Sequence, residues 1–72
     1  MDIKITYMLY EKRMKKGLTI RDLERLSGVS RSQINKIENN LTHPTVYVLC
    51  RLAVALDVQP THLYRLSIIR DK

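Results

Sequence analysis

The chain has 72 residues, a formal net charge of +6, 44% hydrophobic residues, two glycines, two prolines and a single cysteine. At that size folding buries only about 60% of the unfolded surface, so one modest core in a single domain over 1–72 is expected. A lone Cys50 excludes a disulfide framework, nothing has metal-ligand spacing, and no apolar run approaches the roughly 20 residues that span a bilayer.

No signal sequence opens the chain, which with the unpaired thiol points to the cytoplasm and away from the membrane. There is no Ser/His/Asp set and no glycine-rich phosphate loop, so neither an enzyme nor a cofactor or small-molecule ligand is expected. A charge of +6 on so short a chain attracts polyanions, and Lys12, Arg13, Lys15 and Lys16 concentrate part of it before Gly17.

Helical spacing of apolar residues recurs throughout, so the predicted class is all-α with five helices. The first is placed from about Lys4 to Lys16, with Ile5, Met8 and Leu9 on one stripe and Gly17 at the left-handed stop. Only the first few positions alternate strictly.

The stretch from Leu18 to Asn40 repeats one grammar of helix caps. Thr19 caps the second helix with Asp22 at the third position, and Leu18 and Leu23 are placed as a hydrophobic staple. Ser30 caps the third with Gln33 at its third position, an S-x-x-Q capping box, and Val29 and Ile34 form the staple. Only Gly28 and Val29 lie between. Two helices joined by a turn this short, over about 19–39, describe a helix-turn-helix.

A fourth helix follows Pro44, capped by Thr45, with Val46, Leu49, Leu52, Ala53 and Leu56 as its buried stripe and Cys50 on the flank. A short fifth begins at Pro60 after Gln59.

At about 100° per residue, Ile34 and Ile37 turn the third helix inward and leave Ser32, Lys36 and Asn39 outward, flanked by Gln33, Asn35 and Asn40. Amides and hydroxyls without a carboxylate suit the edges of bases in the major groove. Arg31, at the helix start, has the fork that pairs with guanine O6 and N7. Ser30 and Gln33 are also explained by capping alone, although an N-terminal cap can touch phosphate as well. Glu38 falls about 40° from Ile34 on the inward flank and needs a partner, for which Arg13, one turn after Leu9, is placed.

The run L-T-I-R-D-L-E-R-L-S-G-V-S-R-S-Q-I-N-K-I-E, from Leu18 to Glu38, resembles the phage-repressor-like family of Cro and lambda-repressor type. The likeness reaches from about 5 to 66 through Gly17, the Pro44–Thr45 opening and the A-L-D-V turn at Ala55–Val58, which implies a domain core over 5–66 and a short tail at 67–72. It implies a five-helix lambda-repressor-like bundle, encoded by a bacterium or phage, that binds double-stranded DNA as a homodimer on a palindromic operator and represses transcription.

By position, the resemblance assigns Arg31, Ser32, Gln33 and Lys36 to base reading. It assigns Thr19, Ser30, Asn39, Asn40, Thr42 and His43 to phosphate contact, with Asn35 added from the helix face, and Arg13 with Glu38 to an internal ion pair. Three positions depart from it. Ile20 stands where a glutamine commonly bridges phosphate and a recognition side chain, and Glu24 where a small alanine is usual. Asp57 replaces a common glycine, a milder change because Asp tolerates the left-handed region.

Tyr47 and Val54 lie one heptad apart on the outer face of the fourth helix, and Tyr64, Leu66, Ile68 and Ile69 follow with little core to bury them. This apolar surface is the expected homodimer contact, and a short strand over 67–70 is compatible with it. The rival reading is a protein-interaction module of the same fold with weak or no DNA affinity, which Ile20 favours.

Overall fold

The computed structural model describes residues 2–70, so Met1, Asp71 and Lys72, at the ends of the expected domain and tail, lie outside the described residues. In chain order the elements are β1 (Asp2–Tyr7), α1 (Leu9–Lys15), α2 (Ile20–Ser27), α3 (Arg31–Glu38), α4 (Val46–Leu56), a 3₁₀ turn (Pro60–Leu63) and β2 (Tyr64–Ile69). The fold is therefore helical with a small sheet, not all-α, and the described residues form four α-helices rather than five.

Two of the expected elements are corrected. Ile3-Lys4-Ile5-Thr6 is a strand, not the first turns of a helix, and α1 begins only at Leu9. Alternating β-branched residues favour extended backbone once a partner strand exists, and β2 supplies it from the other end of the chain. The antiparallel register pairs Asp2 with Ile69 and Tyr7 with Tyr64, and Met8 N–H donates to Leu63 O at 2.8 Å where the ribbon meets the body. The expected fifth helix is a single 3₁₀ turn, after which the chain extends at once into β2. Its strand spans Tyr64–Ile69 rather than 67–70.

The helix signals operate as their chemistry requires. Thr19 Oγ1 accepts from Asp22 N–H at 3.0 Å while Asp22 Oδ2 accepts from Thr19 N–H at 3.0 Å, a complete capping box. Ser30 Oγ accepts from Gln33 N–H at 3.2 Å, but the return bond from the Gln33 side chain is not among the bonds of the described residues, so that box is half made. Thr45 Oγ1 accepts from Val48 N–H at 3.1 Å and caps α4.

Three helices end on the same device, a residue at positive φ flanked by crossed bonds to the last turn: Gly17 (φ 70°), Asn40 (φ 57°) and Asp57 (φ 56°). After α3, Leu41 N–H donates to Lys36 O at 2.8 Å and Asn40 N–H to Ile37 O at 3.1 Å, a Schellman stop with asparagine in the place glycine usually holds.

Leu23, Ile34, Ile37, Leu52, Leu56 and Leu63 are fully buried, with Tyr7, Leu9, Val29, Leu49 and Ala53 around them. Val46, expected in the buried stripe of α4, is instead 76% exposed. The core thus sits beneath the α2–α3 pair and fixes which way α3 faces. The molecule measures 46 Å along its longest axis against 21 and 20 Å across, consistent with a ribbon standing off a small helical body.

Candidate nucleic-acid interface

The turn between α2 and α3 is bound from both sides. Gly28 adopts φ 77°, Ser27 Oγ donates to Leu23 O at 2.6 Å and accepts from Val29 N–H at 3.0 Å, and Arg51 of α4 donates from Nε to Ser27 O at 2.7 Å. The Arg51 guanidinium fills the space beside Gly28, where an added Cβ would lie 2.6 Å from Nη2. The inter-helix angle is thereby held by backbone and side-chain bonds together.

Ile34 and Ile37 are completely buried, so geometry turns Ser32, Asn35, Lys36 and Asn39 out to solvent, with Gln33 half-buried at the edge. Arg31 stands at the N-terminus of α3 with its side chain 58% exposed. Thr19 and Ser30, both exposed, mark the N-termini of α2 and α3, where the positive dipole end favours an anion. Arg21 and Arg25 on α2, and Lys15 and Lys16 at the end of α1, are exposed cations.

Other candidate residues have partners within the chain. Asn39 Nδ2 donates back to Asn35 O at 2.8 Å and Oδ1 at 3.3 Å. Asn40 Oδ1 accepts from Tyr7 N–H at 2.8 Å, and His43 Nδ1 lies 2.8 Å from the Tyr7 hydroxyl. Asn40 and His43 thus tie the loop after α3 to β1, and Thr42 is half-buried between them in sequence. Burial pushes the Tyr7 hydroxyl above its ordinary pKa, which keeps it protonated and able to hydrogen-bond with the imidazole. Tyr7 carries no motif, and only its register opposite Tyr64 brings it to this loop.

Arg13 and Glu38 are each nearly buried, with side chains 8% and 6% exposed. Arg13 donates from Nε and Nη2 to the two carboxylate oxygens at 2.7 and 3.0 Å, and from Nη1 to Leu18 O at 2.9 Å. The hydrogen bond to Glu38 holds the guanidinium even more firmly protonated than usual, against the opposing effect of burial. These two residues join α1 to α3 and are unavailable to DNA.

Ile20 is half-buried against the core, so its side chain offers the interface no polar contact. Glu24 is half-buried on α2. Its carboxylate crosses to the start of α3, where Oε2 accepts from Arg31 N–H at 3.0 Å and Oε1 lies 3.3 Å from Arg31 Nε. No periodicity points to this contact, because it depends on the angle of the turn.

The sequence matches the helix-turn-helix family over residues 9–63, a span running from the first residue of α1 to the last of the 3₁₀ turn. The chain belongs to the Cro/C1-type helix-turn-helix family. Among solved structures it is similar to the restriction-modification controller protein C.AhdI from Aeromonas hydrophila, at 36% identity and a TM-score of 0.70, over 74% of this chain and 80% of that one. No curated protein matches it.

This Cro/C1-type chain is thus a helix-turn-helix DNA-binding transcription regulator, whose family binds double-stranded DNA. No helix among the described residues is long and apolar enough to cross a membrane.

Proposed function

We propose that this regulator binds a palindromic operator as a homodimer and represses transcription, with α3 in the major groove. The observation that carries the reading is the outer face of α3: Ile34 and Ile37 are fully buried, and what remains outward is Ser32, Asn35, Lys36 and Asn39, with Arg31 at the leading end. Those side chains can donate and accept hydrogen bonds at base edges, and none of them is a carboxylate. Base reading falls to Arg31, Ser32, Gln33 and Lys36, and phosphate contact to Thr19, Ser30 and Asn35. Asn39, Asn40, Thr42 and His43 form the flank of the interface. Asn40 and His43 act there chiefly by fixing the loop.

The partner surface is a second copy of the chain. In the β1–β2 register, Ile3 faces with Ile68, Ile5 with Leu66 and Tyr7 with Tyr64, so one side of the ribbon is apolar throughout. Ile69 lies on the opposite side with Asp2, and Tyr47 and Val54 form a separate patch on α4. Ile3, Leu66 and Ile68 are 58, 53 and 46% exposed. A two-stranded ribbon alone is marginal in water, so a covering partner stabilises it.

The restriction-modification controller to which the chain is similar makes control of restriction-modification one concrete setting for this chain. Selection of bound duplexes from a random pool tests the reading, and it is expected to return a sequence with two-fold symmetry. Binding to random duplex should weaken steeply with salt, as phosphate neutralisation requires. Failure to bind any duplex at low salt would instead favour the protein-interaction module to which Ile20 lends weight.

A further inference from the structure

Glu24 places both carboxylate oxygens on one residue of the recognition helix. Oε2 takes the Arg31 amide at 3.0 Å and Oε1 sits 3.3 Å from Arg31 Nε. The terminal nitrogens Nη1 and Nη2 have no hydrogen-bond partner among the described residues. A guanidinium anchored through Nε and open at its two Nη atoms presents two parallel donors, the pair that matches guanine O6 and N7.

The contact does little for the fold. Its side chains are 58% and 38% exposed, and exposed ion pairs contribute little to stability. What it does is restrict a long side chain before DNA arrives, and so reduce the rotamer freedom lost on docking. It also sets a carboxylate at the leading end of α3, where it opposes phosphate. The two effects have opposite sign for different DNA. Anchoring helps only where a guanine receives the fork, whereas repulsion acts on every sequence.

We propose that Glu24 is a positioning residue that sharpens base discrimination by Arg31 at the expense of general affinity for DNA. This rests on the reading that Arg31 recognises a base.

The test uses the full chain with Glu24→Ala and Glu24→Gln, titrated against three duplexes. These are the selected operator, the same operator changed at the base pair to which Arg31→Ala is sensitive, and a random sequence. Glu24→Ala is expected to lower discrimination at that base pair about tenfold, while affinity for the random duplex stays level or rises. Glu24→Gln keeps the stem and one acceptor without the charge. It is expected to lower discrimination less, and it decides the matter if Glu24→Ala does not fold.

In an Arg31→Ala background, Glu24→Ala should leave discrimination where Arg31→Ala put it. Unchanged discrimination in folded Glu24 variants, with Arg31→Ala still effective, would overturn the role of Glu24 alone. If Arg31→Ala itself changes no base preference, the base-reading assignment fails and the role of Glu24 fails with it. A purely structural Glu24 would lower affinity for all three duplexes alike, and that too overturns the proposal.

Discussion

Arg13 of α1 grips Glu38 of α3 through two parallel hydrogen bonds of 2.7 and 3.0 Å, in a place that water barely reaches. A pair of this kind adds little over a well-packed apolar pair, but removing one member leaves a buried charge alone, a loss of about 3–5 kcal/mol. In a 72-residue domain that is a large share of the whole stability. Arg13→Ala and Glu38→Ala are each expected to lower the melting temperature sharply. The double variant should be less destabilised than the sum of the two. Additive losses in thermal melts would show that the residues do not act as a pair.

Gly28 gives the second prediction. Its φ of 77° is unfavourable for any side chain, and an added Cβ would meet Arg51 Nη2 at 2.6 Å. Arg51 can swing away, but doing so strains its bonds to Ser27 O and the Tyr47 hydroxyl. Gly28→Ala should therefore cost about 1–2 kcal/mol for the backbone and some of the Arg51 contacts besides. Denaturant melts of Gly28→Ala with and without Arg51→Ala separate the two: the substitution should be milder where Arg51 is absent.

The Arg13–Glu38 pair is legible in the sequence, whereas the packing of Arg51 against Gly28 is not. Thr19, Ser30 and Thr45 act on amides three residues away, and Ile34 and Ile37 set the facing of α3 by periodicity alone, so the helix-turn-helix and its outward face are legible locally. Ile3 and Ile5 are not, because their alternation competes with an equally good helical stripe through Ile5, Met8 and Leu9. What decides between them is β2, about sixty residues away in sequence. Glu24 is illegible for a related reason: its partner Arg31 lies on the next helix, and the contact depends on the angle at Gly28.

Acid should loosen the start of α2. Hydrogen bonds from the Thr19 backbone and side chain hold the Asp22 carboxyl below its ordinary value of 3.8, with Arg25 assisting. Because the folded pKa lies below the unfolded one, the contribution of the charge is fully present above about 4 and is lost as pH falls through the folded value. Asp22→Asn should accordingly be less stable than the parent at neutral pH and converge with it in the most acidic melts. A gap that persists unchanged down to pH 2 would assign the difference to something other than the carboxylate.

On DNA, Arg31→Ala should cost about 1–3 kcal/mol on the selected operator and relax choice at one base pair. Equal losses on every sequence would move Arg31 to the phosphates. Thr19→Ala and Ser30→Ala should behave in that second way, weakening all duplexes together. Since both residues also cap helices, their melts must be compared at the same time.

The two apolar patches make the dimer separable from the fold. Leu66 and Ile68 are on the apolar side of the ribbon, about half exposed, whereas Tyr47 and Val54 are 68 and 81% exposed on α4 and take no part in the strand pairing. Leu66→Lys and Ile68→Lys remove no fully buried group, so the helical body should persist while a ribbon-mediated dimer dissociates. Sedimentation at tens of micromolar should then move from dimer to monomer, and binding to the two-fold operator should weaken while binding to a half-site holds. Tyr47→Lys with Val54→Lys is the control on the other patch. Dissociation by that pair and not by the ribbon variants would place the two-fold axis on α4, and a parent chain that sediments only as monomer would remove the dimer from the reading altogether.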